Sequence, residues 1–187
     1  MLTDQHAKDG SALLLIDVIN DFEFDGGEAL LQVALPAANK IAALSQRARA
    51  SEVPVIYVND NWGRWRSDFR SQIERCMETG RTGRAMVEKV LPEEADYFVL
   101  KPMHSGFFST TLEPLLKDLS VHHLILTGFA TDLCVLYTAN DAYMRKYSLA
   151  VPKDCVAAES EERQHFALSH IERRLKADTK SSDQITF

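Results

Sequence analysis

Apolar runs and stretches of helical periodicity alternate along most of this chain. The first run, from Ala12 to Ile16, contains no polar residue and is followed by Asp17. An unbroken run of this kind is typical of a strand buried on both faces of a parallel sheet. Four further runs predict strands, at residues 53–58, 97–100, 124–126 and 148–151.

The stretches between these runs carry apolar residues at the spacing of a helix. Ile41, Leu44 and Ala48 form one such face, and Pro36 is predicted to be the first residue of that helix, a position that tolerates its missing N–H. Ser160 is predicted to cap the last helix, because two glutamates follow it in the first turn. Further helices are predicted at residues 68–77, at 110–116 and from 132 onward.

Strands that alternate with helices predict an α/β fold. We expect a three-layer α/β/α sandwich with a mainly parallel, Rossmann-like sheet of about six strands. The chain shows no internal repeat, no low-complexity tract and no linker, so residues 1–187 are expected to form a single domain. In such sheets ligands bind beyond the carboxyl ends of the strands, which is where functional side chains are expected.

Composition narrows the class of protein. The net charge of −6 argues against a nucleic-acid partner, and three cysteines without close spacing predict neither a disulfide framework nor a zinc site. No apolar run approaches the roughly 20 residues that span a bilayer, and the N-terminus does not resemble a signal peptide. We therefore expect a soluble, cytoplasmic protein with reduced thiols and no membrane partner.

Four polar or reactive side chains follow predicted strands. Asp17, Asp60, Lys101 and Cys134 all lie at or just past the carboxyl end of a strand. Cys134 also lies in the first turn of a predicted helix, where the helix dipole favours a thiolate and lowers its pKa. Asp17 is then placed to take the thiol proton, with Lys101 holding the carboxylate.

Other interpretations of Cys134 stay open on these residues alone. A lone cysteine in an apolar segment is often only a small core residue. A Cys/His pair is another option, with His104, His122 or His123 as base, although the last two precede their strand and belong to the opposite end of the sheet. Neither glycine-rich phosphate-binding motif occurs, so no nucleotide cofactor is expected, and we expect no cofactor of another kind.

Three segments together resemble a known family. They read LLLIDVINDF around Asp17, VLKPMHSGFFST around Lys101 and LTGFATDLCV around Cys134. In this order they resemble the isochorismatase-like cysteine hydrolases, the superfamily that includes nicotinamidases and N-carbamoylsarcosine amidase. The resemblance runs over nearly the whole chain. It implies a hydrolase that cleaves a C–N bond, amide or ureido, of a small-molecule substrate.

The resemblance implies roles for the residues that match its motifs. Asp17, Lys101 and Cys134 would form an Asp-Lys-Cys triad, in which Cys134 attacks a carbonyl carbon and carries the acyl group until water hydrolyses it. The resemblance further implies a cis peptide bond between Phe129 and Ala130, with the backbone N–H groups of Ala130 and Cys134 as the oxyanion hole. Assembly into a homodimer or homotetramer is implied as well.

One departure from the family concerns metal. Nicotinamidases of this superfamily bind a metal through an Asp-x-His pair after the second strand and a later His, whereas this chain reads Asp60-Asn61-Trp62 and has no histidine between residues 7 and 103. A loop without histidine is poorly suited to zinc. We therefore expect no metal and no nicotinamidase activity. True isochorismatases lack the cysteine, so Cys134 argues against that reaction too.

Substrate choice is assigned to the aromatic and cationic loop at residues 59–70. Trp62, Arg64 and Trp65 are predicted to bind a planar or anionic substrate, although the same residue types are equally typical of a subunit contact. Four more residues are predicted to line the pocket, and the two phenylalanines among them fit a plain core equally well. They are Asn20, Phe22, His104 and Phe107.

Two functions from other classes remain open. A thiol redox protein would use Cys134 as its reactive cysteine, but the spacings offer no CxxC pair to resolve a disulfide. A non-catalytic binding module would keep the scaffold and bind a small molecule without turnover. An intact set of Asp17, Lys101 and Cys134 argues against that module.

Overall fold

The computed structural model describes residues 10–63, 65 and 68–187. Within them, strands and helices alternate as the sequence pattern predicts. The strands are β1 (Ser11–Ile16), β2 (Val55–Asp60), β3 (Tyr97–Lys101), β4 (His123–Phe129), β5 (Ser148–Ala150) and β6 (Val156–Ala157). The helices are α1 (Gly27–Ala50), α2 (Phe69–Met77), α3 (Arg84–Val87), α4 (Leu112–Asp118), α5 (Leu136–Met144) and α6 (Glu161–Leu175).

The strands form one sheet in the order β3-β2-β1-β4-β5, and β6 pairs with the end of β4. These pairings are all parallel, with Leu13 of β1 opposite Val55 of β2 and Ile125 of β4. The predicted Rossmann-like sheet of about six strands is therefore confirmed. Because the strands are parallel, their carboxyl ends meet at one edge of the sheet.

Helices cover both faces of this sheet. Leu13 and Leu15 of β1 pack in a core with side chains of α1, α2 and α3, whereas Leu14 and Ile16 pack in a second core with side chains of α4, α5 and α6. These four side chains have no exposed surface. Full burial of one such side chain contributes roughly 1.5–3 kcal/mol to folding. β1 is thus fixed from both sides, and the residue that follows it is held at the edge of the sheet.

The first helix differs from its prediction. α1 begins at Gly27, nine residues before Pro36, which was wrongly predicted to start it. Leu30 and Ala34 are buried on the same face as Ile41, and their burial outweighs the hydrogen bond that a proline removes inside a helix. With 24 residues α1 has the length of a membrane span, but no helix of the described residues combines that length with the apolar content needed to cross a bilayer.

Candidate active site

The carboxyl ends of four neighbouring strands bring Asp17, Asp60, Lys101 and Cys134 together. Lys101 ends β3 and is fully buried. Its Nζ lies 2.9 Å from Oδ2 of Asp17 and 3.3 Å from Sγ of Cys134. It also lies 3.6 Å from Oδ2 of Asp60. One ammonium group therefore contacts two carboxylates and the thiol at the edge of the sheet where ligands of parallel sheets bind.

Asp17 is held by the backbone as well as by Lys101. It follows β1 and has a φ of 51°, a left-handed conformation that is uncommon for a residue with a side chain. Its N–H donates to the carbonyl of Val58 at 3.0 Å, and its Oδ1 accepts the N–H of Asp60 at 2.6 Å. Each carboxylate oxygen thus has its own partner, which fixes the orientation of the carboxylate beside Lys101.

Cys134 lies in a π-helical turn, not in the first turn of an α-helix as predicted. The turn covers Thr131–Val135 and leads directly into α5. The carbonyl of Ala130 accepts the N–H of Val135, five residues further on, at 3.2 Å. The peptide bond between Phe129 and Ala130 is cis. Single π-helical turns occur frequently at functional sites, because they change where one side chain points.

Burial dominates the electrostatics of this cluster. It raises the pKa of Asp17 above its ordinary value, although the positive charge of Lys101 opposes the shift. Burial also raises the pKa of the Cys134 thiol, and the negative charge of Asp17 adds to this effect. Burial alone would lower the pKa of Lys101, but the negative charge of Asp17 raises it above its ordinary value.

The contacts of the cluster are set by its geometry. Lys101 lies within ion-pair distance of Asp17, and the Cys134 thiol is within hydrogen-bonding reach of both side chains. The expectation that a helix dipole lowers the pKa of Cys134 was wrong, because the cost of burying a thiolate exceeds what the turn contributes. Deprotonation of Cys134 therefore requires a base at the site.

A cavity of about 490 Å³ opens onto this cluster. Asp17, Phe129, Ala130 and Cys134 are among the residues that line it, so the thiol faces open space although it is only 9% exposed. Such a volume is at the lower end of the range for pockets that hold small organic ligands. The lining also includes, among others, Asn20, Trp62, Arg75, His104, Leu133 and Glu159.

Comparison with known proteins identifies the family of this chain. Residues 11–183 match the isochorismatase domain. The chain belongs to the isochorismatase family. The isochorismatase family protein YaaI of Bacillus subtilis strain 168 is 44% identical over 179 residues, which cover 96% of this chain and 98% of YaaI. The predicted resemblance is confirmed.

Two further relatives carry named activities. The ureidoacrylate amidohydrolase RutB of Yersinia enterocolitica is 29% identical over 169 residues, which cover 77% of this chain and 74% of RutB. The crystal structure of N-carbamoylsarcosine amidase from Thermoplasma acidophilum matches this fold with a TM-score of 0.72 and 28% identity. That match covers 95% of this chain and 99% of the amidase chain.

Three of the predicted substrate-binding residues line the cavity of this isochorismatase-family protein. They are Asn20, Trp62 and His104. Nδ1 of His104 lies 3.7 Å from Sγ of Cys134, a longer contact than the one that Lys101 makes. The guanidinium carbon of Arg75, on α2, lies 5.6 Å from the centre of the Trp62 ring, in cation–π geometry.

Three of the other predicted substrate-binding residues do not line the cavity. Phe22 and Phe107 are 3% and 6% exposed and pack in the two cores on opposite faces of the sheet, because burial of an aromatic ring stabilises the fold more than a place beside polar groups would. Trp65 is 83% exposed and lies away from the cavity lining. Arg64 lies outside the described residues.

Sequence reasoning missed four charged residues of the cavity, Asp21, Glu23, Arg75 and Glu159. Arg75 comes from α2, and its Nε donates to Oδ2 of Asp21 at 2.9 Å. Glu159 follows β6 and accepts from Arg163 at 2.7 Å. A charged residue on a helix is usually solvated, so the pattern gave no signal for Arg75. For Glu159 the signal would have been its place after a strand, but β6 has only two residues and shows no pattern.

The position at which nicotinamidases bind metal does not fit a cation in this chain. Asp60 has its carboxylate 3.6 Å from the ammonium of Lys101, so a cation bound there would meet a positive charge. Trp62 stands where the metal-binding pattern has histidine. In the part of the chain that the structure describes, no three His, Cys, Asp or Glu side chains are grouped to hold a metal ion. The residues at this position therefore do not fit a resident metal ion.

Proposed function

We propose that this protein is a metal-independent cysteine hydrolase that cleaves a C–N bond, amide or ureido, of a small molecule. The observation that carries the proposal is the position of Nζ of Lys101, 2.9 Å from the carboxylate of Asp17 and 3.3 Å from the thiol of Cys134, beside a cavity that Asp17 and Cys134 line. The named activities of two relatives, RutB and N-carbamoylsarcosine amidase, are hydrolyses of this bond class and support it.

The first half of the reaction forms an acyl-enzyme. The carboxylate of Asp17 takes the proton of the Cys134 thiol as Sγ attacks the carbonyl carbon of the substrate. Burial raises the pKa of the Asp17 carboxyl and of the Cys134 thiol, because it disfavours the charged form of each. The proton is therefore transferred between two groups whose pKa values are both raised. Lys101 stays protonated throughout and stabilises the thiolate as it develops. Protonated Asp17 then donates to the leaving nitrogen, the C–N bond breaks, and a thioester remains.

The second half of the reaction releases the product. A water molecule attacks the thioester carbon while the carboxylate of Asp17 takes one of its protons. The C–S bond breaks, the acid leaves, and the proton on Asp17 returns to the sulfur of Cys134. The sum is hydrolysis of one C–N bond by one water, with all three side chains restored.

We assign the oxyanion hole to the backbone N–H groups of Ala130 and Cys134. Both residues line the cavity, as does the sulfur that attacks. Backbone donors at a fixed turn stabilise the developing oxyanion without reorganisation, and loss of one such donor costs about 10²–10³ in kcat in other acyl-transfer enzymes. The position of both residues at the cavity supports this assignment.

The redox alternative has little support from the positions of the other thiols. Cys76 and Cys155 have no exposed surface and belong to the core on the opposite face of the sheet from Cys134. Burial raises the pKa of each to about 12, so neither supplies a thiolate at neutral pH. A resolving cysteine for Cys134 is thus not in place within the fold.

The proposal is tested by ammonia release from a panel of small amides and ureido acids, with nicotinamide included. We expect release from at least one member by the wild type and none above background from Cys134→Ala. Equal release by both proteins would overturn the proposal. Binding of a panel member without any turnover would instead favour the non-catalytic module.

We also propose that the protein acts in the cytoplasm as a homodimer or homotetramer. Leu133, Tyr137 and Phe166 are exposed apolar side chains on the face formed by the π-helical turn, α5 and α6, which is the kind of surface that a subunit contact covers. Light scattering on the purified protein measures the assembly, and a monomer at micromolar concentration would contradict this part.

A further inference from the structure

A fully buried amide, Asn59, lies beside the proposed catalytic cluster at the end of β2. Its Oδ1 accepts the N–H of Ile19 at 3.1 Å, and its Nδ2 donates to the carbonyl of the same residue at 2.8 Å. A neighbouring strand makes this kind of two-point contact with a backbone. Ile19 lies two residues beyond Asp17, where β1 has already ended, so the side chain of Asn59 continues the pairing that β1 has lost.

A second buried amide orients the first. Gln72 of α2 is 1% exposed, and its Nε2 donates to the carbonyl of Asp60 at 2.7 Å. Its Oε1 accepts from Nδ2 of Asn59 at 3.4 Å. Since only the NH₂ end of an amide donates, this bond helps to determine which end of Asn59 faces the Ile19 carbonyl. The two amides therefore link α2 to the ends of both β1 and β2.

The backbone groups that the two amides bond also orient the Asp17 carboxylate. The N–H of Asp60 donates to Oδ1 of Asp17 at 2.6 Å, while the carbonyl of Asp60 accepts from Gln72. On the other side Asn59 holds the chain that leaves the left-handed conformation of Asp17. Proton transfer is sensitive to small displacements, because donor and acceptor must stay within hydrogen-bonding distance.

We infer that Asn59 and Gln72 are positioning residues for the general base of this enzyme. They act through the backbone of Ile19 and Asp60, and they hold the Asp17 carboxylate at the distance and angle at which it exchanges a proton with Cys134. This inference rests on the proposed function, since it assigns the pair a part in that reaction. Loss of Gln72, which is not part of the cavity lining, should therefore affect the chemical step and leave substrate binding nearly unchanged. Asn59 also lines the cavity, so its loss should affect both.

The test compares Gln72→Met and Asn59→Leu with Tyr57→Phe. The control removes another buried hydrogen bond from β2, the one from the Tyr57 hydroxyl to the carbonyl of Val90 at 2.8 Å, which makes no contact with Asp17. We expect kcat to fall at least about tenfold in the two amide variants, with KM changed less than about twofold in Gln72→Met, whereas Tyr57→Phe keeps kcat within about twofold. Melting temperatures show whether all three proteins fold.

A second readout needs no substrate. The rate of Cys134 alkylation by iodoacetamide, measured by peptide mass as a function of pH, depends on the charges and distances around the thiol. We expect its midpoint to move by at least about half a pH unit in Gln72→Met and to stay in place in Tyr57→Phe. If the wild type hydrolyses nothing in the panel, this profile still decides, so failure of the inference and failure of the proposed function are distinguishable.

Unchanged kcat and an unchanged alkylation profile in folded Gln72→Met and Asn59→Leu would overturn the inference. A fall in kcat that Tyr57→Phe matches would also overturn it, because the loss would then follow stability alone. Asn59→Leu leaves two backbone groups of Ile19 without partners. If it does not fold for this reason, Gln72→Met alone decides by the same criteria.

Discussion

The proposed triad and the other charged and aromatic side chains of the cavity are held in different ways. We call the side chains of the proposed triad the floor, and define it as Asp17, Lys101 and Cys134. We call the more exposed charged and aromatic side chains that line the cavity the outer wall, and define it as Trp62, Arg75 and Glu159. The floor is at most 9% exposed and comes from two strand ends and the turn after β4, whereas the wall comes from a loop, a helix and the segment after the shortest strand.

This difference separates chemistry from substrate choice. The floor is fixed by the sheet, because Asp17 and Lys101 lie at strand ends and Cys134 lies in the turn that follows β4. The wall is attached to segments that can change without disturbing the sheet. Variants of the floor should therefore alter kcat or stability, and variants of the wall should alter KM.

The largest expected effect is that of Cys134→Ala on the floor. We expect kcat/KM to fall at least about 10³-fold, because no other side chain replaces the nucleophile. The control is Cys155→Ala, which removes a fully buried thiol from the opposite core and should keep kcat/KM within about threefold. Ammonia release from one substrate measures kcat/KM of both variants. Equal losses in the two variants would mean that Cys134 is not the nucleophile.

Asp17→Asn is expected to lower kcat by about 10²–10⁴, the usual contribution of a general base. The amide keeps the shape of the side chain but has no place for the thiol proton. Steady-state rates of the folded variant measure the loss. A rate within about threefold of the wild type would assign the base to another group, with His104 the next candidate because of its 3.7 Å contact to Sγ.

The same residue sets an acid limit on the wild type. Asp17 must be ionised to act, so kcat/KM should fall as the pH drops through its pKa, which burial places above the ordinary value of a carboxyl group. The contribution of Asp17 to the free energy of unfolding should change in the opposite direction and rise as the pH drops. Its folded pKa is raised above that of the unfolded chain, so protonation stabilises the fold. Activity lost in parallel with the melting temperature in this range would contradict the assignment.

Lys101→Met is expected to affect stability as strongly as activity. It leaves the buried carboxylate of Asp17 without its cation, and a broken buried pair costs about 3–5 kcal/mol of unfolding free energy. Urea titration measures the loss. Adding Asp17→Asn to the same chain should recover much of it, because the uncompensated charge is then gone, whereas additive losses would show that the two groups are not coupled.

Trp62→Ala tests the wall. We expect KM to rise about tenfold with kcat within about threefold, because the indole lines the cavity without contacting the floor in any hydrogen bond or ion pair that the structure shows. Trp65→Ala is the matched control from the same loop, since its side chain is 83% exposed and away from the cavity lining. Equal effects of the two substitutions would place substrate recognition elsewhere in this loop.

The smallest expected effect is that of a chelator. Dialysis against EDTA should leave kcat and KM unchanged, because the Asp60 carboxylate already faces the ammonium of Lys101 and Trp62 stands where a metal ligand would be needed. Activity that falls with EDTA and returns with a divalent cation would mean that the acidic residues of the cavity bind metal after all.

The positions of the floor residues followed from the sequence for a physical reason. Asp17 and Cys134 follow apolar runs that are buried on both faces, which is typical of inner strands of a parallel sheet, whereas Lys101 ends the edge strand β3. The carboxyl ends of such strands meet at one edge, so three residues far apart in the chain were expected to be neighbours. The distances of 2.9 and 3.3 Å from Lys101 agree with that expectation.

The residues of the outer wall and the details of local structure could not be predicted from the sequence. In the sequence, Arg75 resembles any charged residue on the solvent-exposed face of a helix, yet it lines the cavity. Phe22 and Phe107 were predicted to line the pocket, but they pack in the two cores. Pro36 was placed at a helix start because that is its preferred position, yet Leu30 and its neighbours supply enough burial to begin the helix earlier. Tertiary packing determines the position of each of these residues, and a local sequence pattern carries no information about tertiary packing.

The account's central claim is that Cys134 carries the acyl group, and mass spectrometry tests it most directly. The wild-type enzyme is mixed with a panel substrate, quenched in acid during turnover and digested. We predict that the peptide containing Cys134 gains the mass of the acyl group and loses it when the substrate is exhausted. Steady turnover with the Cys134 peptide unmodified at every time point, or with the acyl mass on another residue, would contradict the claim.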